Sequence, residues 1–200
     1  MTEVDALTML IEEFGDPKIF EVTESEFGRR MSLHEAIAVE MATVALPLAD
    51  AVDWVREHVK VRPGFREFAE EHRPVILSSG FAELIEPVLE RERVSLEVHA
   101  NRLDVRADGW HPIWRDDAQC AECGEACKRG GLPTRSPVVY VGDGVSDHCA
   151  ALAADRVFAR DKLVAYLERQ GVPFEPFEDF VQLAASLRES HSAKKGSTIA

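Results

Sequence analysis

Apolar residues recur at helical spacing through the first sixty positions, and beyond them gather into short blocks. Val4, Leu7, Leu10, Ile11 and Phe14 share one face, which predicts a helix over 1–14. Thr2 would cap it, with Asp5 three residues on in near capping-box spacing, and Gly15-Asp16-Pro17 would stop it. Residues 25–57 read as further helices. There Ser32 and Glu35 have capping-box spacing, and Leu33, Ile37, Met41 and Val44 line one side. Pro47 breaks that run before a helix at 51–59. No strand pattern occurs in this part of the chain.

The pattern changes at Val61-Arg62-Pro63-Gly64, a turn. A short amphipathic helix is predicted at 65–71, and a buried strand at 74–77 running into Ser78-Ser79-Gly80. A helix follows at 81–91, then a β-branched strand at 94–98 and a hairpin arm over 102–110 with its turn at Asp108-Gly109. Residues 120–131 read as a loop or short helix. Val138-Val139-Tyr140-Val141 is a buried strand ending in Gly142-Asp143-Gly144. Helix is predicted at 149–154, strand at 156–159, helix at 162–170 stopped by Gly171, and a last helix at 180–187. From Ser190 little remains to bury, which predicts disorder. Strands alternating with helices from position 74 onward imply an α/β fold built on a parallel sheet flanked by helices. The division expected is a helical cap (1–61), an α/β core (62–188) and a disordered tail (189–200).

A formal net charge of −13 argues against nucleic acid or an anionic membrane surface as partner. It leaves room for a small phosphorylated metabolite, because a local cation can outweigh the global field. No apolar run reaches the length of a membrane span, and no basic-then-apolar leader opens the chain. Four cysteines, three of them crowded between 120 and 127, do not resemble a secreted disulfide framework. A cytoplasmic protein is expected.

The candidate chemistry sits in the loops next to predicted strands. Asp143 and Asp147 place carboxylates at a strand's carboxyl end, where open α/β sheets bind ligands, and suit a hard cation such as Mg²⁺. Ser78 offers a hydroxyl where a strand meets a helix, and the Ser79 and Gly80 amides would face outward at that helix start as an anion site. Lys128 adds a positive charge. Hydroxyl, amides, lysine and metal together can hold and polarise a phosphoryl group. Cys120-x2-Cys123-x3-Cys127 has zinc-ligand spacing, with His111, His148 or Cys149 as a fourth candidate. A second Cys-x2-Cys pair is missing, and the spacing alone favours plain thiols.

In this order the motifs resemble the haloacid dehalogenase-like superfamily, in particular its phosphoserine phosphatase-like branch, over nearly the whole chain. The correspondences are Val75-Ile76-Leu77-Ser78 with Ser79-Gly80-Phe81, Lys128 in Cys127-Lys128-Arg129, and Gly142-Asp143-Gly144-Val145-Ser146-Asp147. Ala100-Asn101-Arg102-Leu103 and Arg30-Met31-Ser32-Leu33 also match family patterns. The Cys-Gly-x-x-Cys-Lys neighbourhood is closer to the 2-hydroxy-3-keto-5-methylthiopentenyl-1-phosphate phosphatase subgroup. The resemblance implies a Rossmann-like core with a helical cap and Mg²⁺-dependent hydrolysis of a small phosphomonoester through an aspartyl-phosphate. It implies that Ser78, Ser79, Gly80 and Lys128 bind phosphate, that Ser78 and Lys128 assist catalysis, and that Asp143 and Asp147 serve the metal. Asp5 and Arg30 would select substrate from the cap.

One family motif is absent: the opening strand ending in Asp-x-Asp-x-Thr, whose first Asp attacks phosphorus. In the family that strand lies mid-sheet, between the strand ending at Ser78 and the one ending at Gly142. The expectation is a chain whose start lies one strand too late and which is inactive in this form. The alternative is a catalytically dead phosphate-binding or regulatory relative.

Overall fold

The structure is a computed structural model that describes residues 1–115, 119–134 and 137–195. Its order is α1 (Ala6–Phe14), α2 (Ile19–Glu26), α3 (Leu33–Met41), α4 (Leu48–His58), α5 (Phe65–His72), β1 (Ile76–Phe81), α6 (Ala82–Arg91), β2 (Val98–Arg106) and β3 (Gly109–Ile113). A 3-10 turn (Lys128–Gly131) leads to β4 (Val139–Gly142), a second 3-10 turn (Val145–Asp147) and α7 (His148–Ala151). β5 (Arg156–Ala159), α8 (Asp161–Gln170), β6 (Glu175–Pro176) and α9 (Phe180–Lys195) complete it. This is the expected α/β architecture, with parallel strands flanked by helices.

Local chemistry explains most element ends. The Ser32 hydroxyl accepts from the Glu35 amide while the Glu35 carboxylate accepts from the Ser32 amide, the reciprocal box expected at α3. Gly171, at φ +65°, closes α8 in the left-handed region that suits glycine. At α1 the cap is Asp5 rather than Thr2. Asp5 Oδ1 accepts from the amides of Leu7 (2.9 Å) and Thr8 (3.0 Å), while Thr2 pairs as an isolated bridge with Val61. Helix α2 begins six residues before the predicted helical run, anchored by buried Thr23, whose hydroxyl donates to Glu40 of α3 at 2.7 Å.

Two strand expectations need correction. β1 does not end at Ser78 but continues to Phe81, which pairs with Asn101 after a register irregularity. Ser79 and Gly80 therefore lie in a strand, and α6 starts only at Ala82. Residues 94–97 are not strand, because the Val94 amide turns back to bond Leu89 and close α6; β2 begins at Val98. At the carboxyl end α9 runs from Phe180 to Lys195. Residues 196–200 lie outside the described chain.

Among the described residues the strands form two three-stranded sheets, β1-β2-β3 and β4-β5-β6. β1–β2 is parallel and β2–β3 is the predicted hairpin, Val105 opposite Trp110. β4, β5 and β6 are all parallel. β1 and β4 are each the terminal strand of their sheet, and no pairing joins them.

The predicted cap is not packed as a separate body. Leu10, Ile11, Ile37, Met41, Val44 and Val55 share one buried cluster with Phe81, Leu84, Val88, Leu103 and Trp110. Fully buried Trp110 donates its indole N–H to the Leu46 carbonyl at 2.8 Å, tying the hairpin to the α3–α4 connection. Behind it, Gly109 comes so close to Ala42 that an added Cβ would stand 2.3 Å from the Ala42 carbonyl oxygen. A second cluster joins α5, α6, β5 and α9 through Phe65, Phe68, Leu89, Phe158, Phe180 and Leu183. The third buries Tyr140, Val157, Leu163 and Leu167 between the second sheet, α7 and α8. Trp110→Phe is expected to cost about 1–3 kcal/mol in urea denaturation, because it strands the Leu46 carbonyl without its donor.

Candidate active site

The turn after β4 is built around a buried carboxylate. Asp147 is 2% exposed. Its Oδ2 accepts from the amides of Asp143 and Gly144, both at 2.9 Å. Its Oδ1 accepts from Lys128 Nζ at 2.6 Å and from the Tyr140 hydroxyl at 2.6 Å. A carboxylate has about four acceptor positions, and all are used. Gly142 permits this closeness, since a Cβ there would fall 2.7 Å from the Asp147 carboxyl carbon.

Charge and burial set the protonation states. Burial alone would raise the Asp147 carboxyl, but the Lys128 charge, reinforced by the donors, holds it below the usual carboxylate range. Tyr140 is pushed well above its ordinary value, first by burial and then by the Asp147 charge. The Met1 ammonium belongs to the same electrostatic neighbourhood. Burial pushes it down, Asp143 and Asp147 oppose that, and Arg62 and Lys128 add to it. Residues 1–3 are held there by pairing with 60–62: Arg62 N–H donates to the Met1 carbonyl at 3.1 Å and Glu3 N–H to Lys60 at 2.9 Å.

Asp143 behaves differently from Asp147. Its backbone accepts from the Leu163 amide, but its carboxylate makes no hydrogen bond to a described residue. Lys128 opens the 3-10 turn that packs on β1, the strand carrying Ser78. A Cβ at Gly131 of that turn would lie 2.7 Å from Leu77, the neighbour of Ser78. The Ser78 hydroxyl accepts from the Gly80 amide at 3.0 Å, so that amide is not presented outward as expected. Buried Asn101 steadies the strand, donating to the Ser79 carbonyl at 2.9 Å and accepting from the Arg115 amide at 3.2 Å.

The cap candidates make only local contacts among the described side-chain bonds. Asp5 uses only Oδ1 as the α1 cap, including a 3.4 Å contact from the Thr8 hydroxyl. The Arg30 side chain is 85% exposed and lies 3.9 Å from Glu26 on its own segment. The cysteine segment, by contrast, reaches the cap: Glu125 accepts from the His34 amide at 3.3 Å, and His34 stacks on Trp114 at 4.0 Å. Tyr140 was not singled out from the sequence. Its signal was a lone hydroxyl in an otherwise aliphatic strand, seven residues before Asp147. An open recess of about 470 Å³ lies elsewhere, lined by Glu3, Lys60, Arg62, Arg66 and Arg91, and none of the motif residues lines it.

The arrangement is a two-sheet α/β core with a lysine–aspartate pair at a strand's carboxyl end, beside an aspartate with no hydrogen bond to its carboxylate among the described residues and a turn packed on the Ser78 strand. The chain belongs to the haloacid dehalogenase-like hydrolase family, whose model matches residues 9–152. It is 31% identical to Pdp3-interacting factor 1 of Schizosaccharomyces pombe, over 80% of this chain and 77% of that protein. It is 24% identical to the 2-hydroxy-3-keto-5-methylthiopentenyl-1-phosphate phosphatase of Bacillus mycoides, over 94% of this chain and 91% of that one. In fold it is similar to a substrate-bound phosphoserine phosphatase, with a TM-score of 0.67 at 14% identity and 92% of each chain covered. The family and its relatives mark it as a phosphoric monoester hydrolase. Among the described residues no helix is long and apolar enough to cross a membrane.

Asp147→Asn is expected to destabilise the fold by about 3–5 kcal/mol at neutral pH, since it leaves the Lys128 charge buried without its partner. Its amide would also set N–H groups against the Asp143 and Gly144 donors. The pH dependence has a defined sign. A carboxyl held below its unfolded value of about 3.9 adds stability above that pH, and the contribution is lost as pH falls through the folded value. Urea denaturation across the acid range should therefore show the wild type losing more stability than Asp147→Asn.

Proposed function

We propose that the chain is the cap and core of a Mg²⁺-dependent phosphatase for small phosphorylated metabolites, working through an aspartyl-phosphate on a strand that precedes Met1. The observation that carries this reading is the Lys128–Asp147 pair beside the open Asp143 carboxylate, on a turn packed against the Ser78 strand. Oxygen donors and a lysine, without a soft ligand among them, fit a hard cation and a phosphate. Asp143 would hold Mg²⁺, which when bound would supply positive charge to the phosphoryl oxygens. Asp147 is saturated by its four donors, so its role is to orient Lys128 and the Asp143 backbone rather than to bind metal directly. Ser78 and Lys128 would hold the phosphate. Asp5, with Oδ2 free of its cap bonds, is the better cap candidate for substrate; Arg30 would have to swing in from solvent.

Two features support a preceding strand. β1 and β4 are both terminal in their sheets, and a strand paired to each would join them into one sheet. Met1 packs in two clusters at once and its ammonium feels Asp143, Lys128 and Asp147, so a chain entering there would emerge at the site. Each buried backbone group left unpaired along such edges costs about 1–3 kcal/mol. A cytoplasmic setting goes with this reading, in line with the free cysteines.

The decisive experiment compares the chain starting at Met1 with one extended upstream in frame. An aryl phosphate with Mg²⁺ should be turned over by the extended form and not by the shorter one. In the extended form Asp143→Asn should lower kcat/KM by about 100- to 1000-fold. A stop codon directly upstream, or an extended chain that binds inorganic phosphate without turnover, would instead favour a phosphate-binding or regulatory protein.

A further inference from the structure

Cys120, Cys123, Cys127 and Cys149 converge although the last is remote from the others in sequence. Their Sγ atoms all lie within 4.8 Å of one another, and all four thiols are free. Four sulfurs this close can surround a single ion. Zinc bound by four thiolates at ~2.3 Å has S···S edges of ~3.8 Å, so the cluster needs only a small contraction. A multi-iron cluster would not fit between sulfurs this close. Two cross-links could form only by abandoning the common centre for pairs.

The backbone is shaped for thiolates as well. Cys120-Ala121-Glu122-Cys123-Gly124 is a tight turn, with the Gly124 amide bonded to the Cys120 carbonyl at 2.8 Å and Gly124 at φ +76°. That turn aims the Glu122 amide at the Cys120 sulfur at 3.4 Å, a donor that favours the ionised ligand form. Outer partners brace the loop. Arg115 donates to the Cys127 carbonyl at 3.3 Å, and Arg129 pairs with Glu122 at 3.4 Å.

We propose that these four cysteines bind one structural zinc ion, which staples the loop carrying Lys128 to the helix that follows Asp147. Four sulfur ligands close the coordination sphere, so the ion binds no substrate. The placement gives the staple its purpose. Cys127 directly precedes Lys128, and Cys149 lies two residues past Asp147. Zinc therefore fixes the two segments whose side chains form the buried ion pair. Through Glu125 and the His34 amide it also sets where the loop meets the cap. Binding joins four thiolates to one Zn²⁺ and releases their protons, with no oxidant or reductant involved.

The test uses the intact chain, prepared with reductant and without chelator, and none of its readouts is enzymatic. Elemental analysis should find about one zinc per chain. Removing it with a strong chelator should lower Tm by more than about 5 °C, and Zn²⁺ should restore it. Cys123→Ser, at the exposed corner, should bind zinc at least about 100-fold more weakly and should no longer respond to chelator. If that variant does not fold, cobalt substitution of the wild-type protein decides: thiolate-to-cobalt charge transfer with tetrahedral ligand-field bands supports the site. Reduced protein that takes up neither zinc nor cobalt overturns the proposal. So does a mass showing that these thiols are paired as disulfides in protein isolated under reducing conditions.

Discussion

The ion pair between Lys128 and Asp147 is the constraint around which the second half of the molecule is arranged. Their side chains are 13% and 3% exposed, so both charges have left water almost completely. Desolvation on that scale costs several kcal/mol per ion and is offset only by near-ideal geometry and further hydrogen bonds. The Tyr140 hydroxyl and two backbone amides supply them. The pair thus dictates a glycine at 142, a hydroxyl-bearing ring in the middle of β4, and a loop that returns to bring Lys128 within reach. Relaxing any of these would leave a charge buried without compensation.

That logic also explains what could be read from the sequence and what could not. β5, α8 and the Ser32–Glu35 box follow from local periodicity and capping, and they form where predicted. The Gly-Asp-Gly turn was legible because a strand running into it must end at a ligand-binding edge. The division of labour between its two acids was not. Asp143 and Asp147 look equivalent in sequence, and only the fold shows one saturated by four donors and the other open. Tyr140 was hidden for a similar reason, because it sits in an otherwise aliphatic run and its hydroxyl finds a partner only in three dimensions, while Val139 beside it is exposed rather than buried as predicted. Ser79 and Gly80 misled in the opposite direction. Small residues after a strand suggest a helix start, but Asn101, a strand away, holds them extended. The cysteines show the limit most directly: three share a loop, and the fourth arrives from α7 by tertiary contact.

The cap and core follow from packing as well. A boundary near residue 61 is a change in hydrophobic period, and the chain does switch there from helices alone to helices and strands. Yet α1, α3 and α4 bury their apolar faces in the same cluster as β1, α6 and the hairpin. Trp110 shows why, since a ring this large with one polar atom needs both an apolar enclosure and an acceptor, and it finds the acceptor in the α3–α4 connection. The strands, by contrast, fall into two sheets with no pairing between them among the described residues. Side-chain packing integrates the chain while backbone pairing does not, so the division between β1 and β4 is specific to hydrogen bonding and does not reflect a loosely packed molecule.

Electrostatics then orders events at the site on the proposed reading. The chain carries a formal charge of −13, and the Lys128–Asp147 pair is neutral as a unit. Asp143 therefore leaves the turn net negative. A phosphate dianion approaching this surface meets repulsion from the global field and little attraction from a lysine whose charge is already matched. The local sign becomes favourable only when a divalent cation sits at Asp143. Asp147 thus serves binding by being unavailable: saturated by its own donors, it keeps Lys128 directed at the site and leaves the neighbouring aspartate as the open ligand.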